Sequence, residues 1–401
     1  MLKKQSIMDA VFKCAKWLLA CATISYSMQM HALHVKASSA RLNSSNAWVF
    51  QDDGEYSTDP IEVIDTSNFP LAILQLRQKY QHDGLIFGGF LEMEAQSWWG
   101  DDLPNGSNVG QSTAGNGYKN GSGIGISSAN LDMVANINSW VQTFTQFNAA
   151  SGEFQSAFVN IGNLSRSPFF MTIGRNLPRF GQFPAAPWAP NLSQGMIRPD
   201  YINTATVAYA TNNLNVNLAA FNGATHHANG VMASAFYNGN ITDAWAYQVN
   251  LGATNDMRGM DNAFSNALQK RDAAINAEGS LAYQLWSSTG GFFSSLNKVA
   301  ATQNKLAQIW YLQLAYTPKI LGRDVTFAVN YSQAQNTQQI AMPLAGDSEK
   351  GPAVFGAQQE WIAYADTNIW ERLNVGLEGA HIKTYNGTHT NVATLYIATY
   401  F

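Results

Sequence analysis

From Gly84 to Phe401 the apolar residues recur at every second position, run after run. GLIFGGFLEMEAQSWW places Leu85, Phe87, Leu91, Met93 and Ala95 on one face and Glu92, Glu94 and Gln96 on the other. A helix would scatter those carboxylates, whereas a strand keeps them in line. ANLDMVANIN sets Leu131, Met133, Ala135 and Ile137 against Asn130, Asp132, Asn136 and Asn138. LNVNLAAFNG, WAYQVNL, INAEGSLAYQLW, VTFAVNYSQ and ERLNVGLEG continue the pattern, with Glu278, Asn330, Asn374 and Glu378 on the polar side. The chain therefore reads as all-β. Hydrophobic residues make up 46 % and charged ones only 12 % of the sequence, too few charges for an ordinary soluble enzyme. No run reaches 18 apolar residues, so if this chain crosses a membrane it does so with strands.

Counting runs of about 9–11 residues, the length of a tilted spanning strand, gives about sixteen between Gly84 and Phe401. Their connections sort by length: short corners at Asn138-Ser139, NLSRSP, Asn212-Asn213, NGNITD, WSSTGG, PKILGRD and around Asn368 alternate with longer stretches. The longest are GDDLPNGSNVGQSTAGNGYKNGSG, PRFGQFPAAPWAPNLSQGMIRPD, a run near 253–273, and AQNTQQIAMPLAGDSEKGP. Soluble sandwiches and propellers also alternate. Here, however, the polar faces carry Asn, Gln and Ser rather than Lys and Arg, no 20–50-residue repeat is present, and Trp98, Trp99, Trp140, Trp286 and Trp370 stand at run ends, where bilayer interfaces collect aromatics. The expectation is a transmembrane antiparallel β-barrel over 84–401. Such a barrel has no edge only if its last strand pairs with its first, which gives the apolar octet TLYIATYF the part of closing strand. Phe401 at its end resembles the signal read by outer-membrane barrel-insertion machinery.

Residues 1–32 read as a signal peptide: Lys3, Lys4, Lys13 and Lys16 precede WLLACATISYSMQM and a cleavage site at Ala32, with Ala37 as the alternative cut. Cys14 and Cys21 both fall inside it, so disulfide scaffolds, thiolate metal sites and cysteine nucleophiles drop out of the remainder. Residues 33–83 are acidic and turn-rich before PLAILQLRQKY, a short N-terminal periplasmic extension or a small lumen insert.

GLIFGGFLEMEAQSWW and AFVNIGNLSRSPFFMTIGRNLPRFGQF resemble the bacterial siderophore-porin family, that of the outer-membrane receptor for legiobactin, and more generally the gram-negative porins. The resemblance implies sixteen strands, an outer-membrane location and uptake of iron chelates or similar small solutes. From the porin hairpins it also implies that the loop after the fifth strand, PRFGQFPAAPWAPNLSQGMIRPD, folds into the lumen.

If the apolar faces meet lipid, the opposite faces line the lumen. Glu92, Glu94, Asp132, Glu278, Glu360, Asp366 and Glu378 fall there, a wall favouring cations or neutral solutes. A polycarboxylate chelate would instead need Arg175, Arg179 and Arg198 around the inward loop as its clamp. His226-His227 alone makes a poor metal site, since two imidazoles fall short of a ligand set. HExxH, P-loop and GxSxG patterns are lacking, and the alternation puts His381 and Glu378 on opposite faces, so neither an enzyme nor a resident cofactor or metal is expected. A net charge of −4 without a basic stripe argues against nucleic acid. A transport barrel and an adhesive or structural barrel with binding surface loops are the two readings that stand.

Overall fold

The computed structural model describes residues 69–79, 84–101, 120–149, 151–181, 183, 191–223, 227–242, 244–260, 262–343, 353–370 and 373–400. The expected signal at 1–32, most of the 33–83 segment, Trp188, His226 and Phe401 lie outside these residues. Sixteen long strands follow one another: β1 (Gly84–Gly100), β2 (Asn120–Asn136), β3 (Val141–Asn148), β4 (Glu153–Gly162), β5 (Phe169–Asn176), β6 (Ile202–Ala210), β7 (Leu214–Phe221), β8 (Gly230–Thr242), β9 (Trp245–Thr254), β10 (Ala274–Tyr283), β11 (Trp286–Ser295), β12 (Gln308–Tyr316), β13 (Arg323–Gln335), β14 (Ala357–Trp370), β15 (Leu373–Thr384) and β16 (His389–Tyr400). Each pairs antiparallel with the next, and β16 returns to β1 from Phe90↔Tyr400 to Gly100↔Thr390, closing the barrel. A two-residue piece, Lys319–Ile320, and a ribbon of Ala341–Pro343 with Ala353–Phe355 extend its connections.

The alternation sets the two surfaces. Leu85, Phe87, Leu218, Val249, Leu251, Leu312 and Leu377 are exposed on the outside, while Gln96, Asn217, Asn250, Asn330 and Thr394 are buried inside. Exposed apolar side chains at this density, on every strand but β3, are explained by lipid, not water. At the turn end Trp245 meets Tyr283 with ring centroids 4.4 Å apart, Trp286 meets Tyr316 at 4.5 Å, and Phe169 meets Tyr209 at 5.1 Å. At the loop end Trp310, Tyr331 and Trp361 form a second chain of rings. Trp99, Trp140 and Trp286 are exposed in these belts, but Trp98 turns inward and is buried, as its parity with Glu94 and Gln96 requires.

Two to six residues make each turn at one end, the ranges running from 243–244 and 284–285 up to 163–168 and 317–322. The loop end carries the long connections, yet 149–152 and 385–388 there are only four residues each, so length alone does not sort the two ends. WSSTGG, expected as a corner, lies inside β11, and the turn is Gln284-Leu285, with Gln284 in the left-handed region (φ 51°). The reason is a neighbour: a Cβ at Gly291 would stand 2.4 Å from the Tyr311 ring, so the glycine is a cradle rather than a turn residue. Asn368 likewise lies within β14, which runs on to Trp370, and β15 begins at Leu373.

One helix precedes the barrel, α1 (Phe69–Lys79). Its Leu71, Ile73 and Leu74 are buried against the inward side chains Val134, Phe144, Phe158 and Phe170 of β2 to β5 and Ala208 and Ala210 of β6. Wall amides hold its backbone: Asn160 Nδ2 donates to the Pro70 carbonyl (2.8 Å) and Gln142 Nε2 to that of Ile73 (3.3 Å). All of these wall positions lie toward the turn end.

Candidate functional site in the barrel lumen

Four connections at the loop end bend inward and pack together. The β5–β6 connection, residues 177–201, is the largest and contains α2 (Leu192–Ile197), capped by Asn191, whose side chain accepts the Gln194 amide at 2.9 Å. The β9–β10 connection carries α3 (Ala263–Ala267), started by a capping box between Asn262 and Ser265. Phe180, Phe183, Leu192, Met196 and Ile197 from the first join Met257, Met260 and Phe264 from the second, over the inward faces of Phe221, Met232, Phe293 and Ile309. Asn262 Nδ2 donates to the Ile197 carbonyl at 2.7 Å and the Asp200 amide to Met260 at 2.8 Å, tying the two connections. The inward fold that the porin resemblance implied for this loop is thus present.

Glu278 on β10 is what holds the loop. Its Oε1 accepts the Phe183 amide (3.1 Å) and the Tyr311 hydroxyl (3.0 Å), and its Oε2 accepts Asn250 Nδ2. The register explains the reach: Asn250, Glu278, Gly291 and Tyr311 stand in one row across β9 to β12, so the Tyr311 ring lies flat over Gly291 to meet the carboxylate. At Gly252 the Phe180 carbonyl comes within 2.0 Å of where a Cβ would be, so the loop backbone rests directly on β9. Glu278 is therefore a latch for the loop rather than a charge offered to passing solute.

The remaining acidic residues occupy the other arc, β14 to β2. Glu94 lies close enough to Glu92 and Glu378 for their charges to act on it, and Glu378 likewise acts on Glu360. Tyr396 sits between Glu94 and Gly376 in the register, its hydroxyl 2.2 Å from the place a Gly376 Cβ would take. Glu92 Oε1 accepts the Ser127 hydroxyl (3.1 Å) at a β-bulge, where Ser127 is the extra residue of β2. Glu360 accepts the Ser332 hydroxyl, which also receives the Leu192 amide at the start of α2. Asp366 accepts Asn374 Nδ2 at 3.5 Å, and Asp132, opposite Gln146 in the register, is fully buried.

The three arginines do not form a clamp. Arg175 points outward beside Ile173 on β5, exposed, its Nε donating to the Gln155 carbonyl at 3.2 Å: it shares the parity of the lipid face, which overrides its nearness in sequence to the loop. Arg179 does enter, buried, with Nη1 donating to Asn215 Oδ1 (2.8 Å) and its guanidinium 3.2 Å above the Phe236 ring. Arg198 ends α2, half-buried, its backbone N–H bonded to the Gln194 carbonyl. Beside Arg179 a small cleft of about 30 Å³ is lined by Pro70 of α1, Thr172, Thr206, Asn217 and Ser234.

Sequence alternation found Glu278, Asn250 and the acidic arc but not Tyr311, Phe183 or Phe236. The signal for Tyr311 was Gly291 in mid-strand, a position that the covering Tyr311 ring explains. Glu378 faces the lumen and His381 the outside, and His227 is exposed in the β7–β8 connection.

A closed antiparallel sixteen-strand barrel with an apolar exterior, aromatic belts at both ends and a loop folded inward is the porin-like channel fold of the outer membrane. The outer membrane channel DcaP of Acinetobacter baumannii superposes with a TM-score of 0.52 at 11 % identity, covering 80 % of this chain and 98 % of that one. The anion-selective porin from Comamonas acidovorans gives 0.52 at 11 %, covering 80 % and 100 %, and OprB of Pseudomonas putida 0.51 at 12 %, covering 81 % and 96 %. The protein is an outer-membrane barrel of the gram-negative envelope. It belongs to the family described as "Protein of unknown function (DUF3573)", whose model matches residues 41–281. A UPF0422 protein of Coxiella burnetii is 22 % identical over 328 residues, which is 72 % of this chain and 66 % of that protein.

Proposed function

We propose that the barrel is a solute channel whose lumen is narrowed from the loop end by the 177–201 connection and from the turn end by α1, and which passes small cationic or neutral solutes. The observation that carries this reading is the gathering of carboxylates on one arc of the wall. The loop packs its apolar side into a core drawn from β6 round to β16 and Trp98 of β1, and the arc from β14 to β2 also holds Glu92, Glu94, Asp132, Asp366 and Glu378 on its inner face. Grouped carboxylates raise the local cation concentration and repel anions. A ferric siderophore, the finer reading from the family resemblance, fits as a neutral or cationic chelate. A polycarboxylate chelate would have Arg179 in the lumen without Arg175 beside it. Phe401 is the proposed contact with the barrel-insertion machinery.

The second reading, an adhesive or structural barrel, draws on the burial of nearly every inward side chain at mid-strand. Planar-bilayer recordings of purified protein separate the two. A channel conducts, with a reversal potential favouring cations at low salt, and replacing Glu92, Glu94 and Glu378 together by Gln shifts it toward zero. The shift shrinks at 1 M salt, where screening acts within about 3 Å. A barrel that folds, by heat-modifiable gel mobility, yet passes no ions belongs to the second reading.

A further inference from the structure

Along the inner face of β1, three consecutive inward side chains each carry a polar atom that the wall does not satisfy. Glu94, Gln96 and Trp98 are only 4, 2 and 7 % exposed, and Glu94 Oε2, Gln96 Oε1 and Trp98 Nε1 have no hydrogen-bond partner. Buried polar atoms are nearly always paired, so three in one row are an unmet demand. The row climbs about 7 Å per step toward the loop end, as every second residue of a strand does. On one side Gln96 Nε2 donates to Thr394 Oγ1 of β16 at 3.4 Å, which turns Oε1 away from that strand. On the other side the register sets Gly125, Gly123 and Gly121 of β2 opposite Glu94, Gln96 and Trp98. The Trp98 ring fills the place beside Gly121, where a Cβ would come within 2.2 Å of it, while Gly123 and Gly125 set bare backbone next to Gln96 and Glu94.

We infer that this row is the binding site of a hydroxylated organic ammonium compound, the class of the amino sugars. The inference rests on the solute-channel reading above and deepens it by naming the class of solute. Each residue asks for a different group. Glu94, on which the charges of Glu92 and Glu378 also act, calls for a cation. Gln96 Oε1 only accepts, and the Trp98 indole N–H only donates. A polyamine offers donors alone and leaves Trp98 unmet, whereas a neutral sugar leaves the carboxylate without a counter-charge. An ammonium answers Glu94, and hydroxyls, which both donate and accept, answer Gln96 and Trp98 in turn. Among the described residues the acidic side chains do not converge as a set of three metal ligands, so their charge suits a broad organic cation better than a compact ion. The glycines of β2 let such a solute lie against backbone, in the place where side chains would stand on any other residue.

Calorimetric titration of the full chain, folded in detergent micelles at low salt, tests the site with a glucosamine disaccharide as the probe. Its di-N-acetyl form and spermidine are the comparisons. Expected are saturable binding of the disaccharide, at least about tenfold weaker binding of the uncharged N-acetyl form, and a similar loss in Glu94→Gln. Gln96→Leu and Trp98→Phe, which keep the charge and remove one hydrogen-bonding group each, should weaken the disaccharide about threefold or more. Trp98→Phe should leave spermidine unaffected. Glu153→Gln, which removes a charge from an exposed position at the start of β4, should bind as the parent does. Heat-modifiable mobility confirms that each variant has closed its barrel. No saturable binding in the parent overturns the assignment and leaves the row to water. Parental affinity in both folded Gln96→Leu and Trp98→Phe overturns it too, leaving an acidic wall that attracts any cation. Because binding is read without current, saturable binding to a barrel that passes no ions upholds the site and fails the channel reading alone.

Discussion

Glu278 shows how far one side chain can act when a register lines up its partners. Three donors converge on it from a loop, a strand beside it and a strand two away, so removing the carboxylate leaves buried N–H and O–H groups unmade. Glu278→Ala should cost about 2–4 kcal/mol in denaturant unfolding of the barrel, several groups losing about 1–3 kcal/mol each with partial relaxation. If the barrel conducts, the same change should raise its conductance, because the loop loses its hold at Phe183. Alternation could place Glu278 on the inner face; its role depended on Tyr311 crossing Gly291, a contact between strands that no single run encodes. Arg175 marks the converse limit, where proximity to the loop suggested the lumen and strand parity sent the side chain outward.

At the scale of the element, the period of two carried most of the fold: sixteen strands, their faces and the closing pair follow from it. Turn positions were less legible because glycine and serine serve both as corners and as room for a ring on the next strand, as in β11. Leu218→Arg on β7 should destabilise by about 2–4 kcal/mol, whereas Leu218→Phe should leave the unfolding midpoint nearly unchanged. The inner face is less forgiving than alternation suggests: Asn250 is fully buried on Glu278, so arginine is not tolerated there as it would be in a water-filled pore. The β9–β10 connection has a pH signature of its own. Burial pushes the Asp272 carboxyl up to about 6, Asp256 adding to the rise while hydrogen bonds from Asn297 and Leu296 oppose it. The folded state then holds that proton more tightly than the unfolded one. Stability from this group is full below about pH 4 and is lost as pH rises through about 6. The loss should be about 1–2 kcal/mol after solvent screening, and an Asp272→Asn variant should lack it when unfolding midpoints are compared from pH 4 to 7.

For the whole molecule, α1 is the part the sequence left open between a periplasmic extension and a lumen insert, because a short apolar helix reads alike in either place. Its burial predicts that Ile73→Asp, which puts a carboxylate where the wall offers Val134, Phe144 and Phe158, expels the helix and raises single-channel conductance while the barrel stays closed. The seam between β1 and β16 has a further meaning, for time rather than for shape. Gln96 and Thr394, hydrogen-bonded across it, are 298 residues apart along the chain, while the other fifteen strand pairs join neighbours in sequence. Hairpins can therefore form early and locally, and the sheet grows with two bare edges until its most distant residues meet. Until then both edges can add a strand from another molecule, so the half-built barrel, rather than the finished one, is the aggregation-prone state and sets the need for an escort.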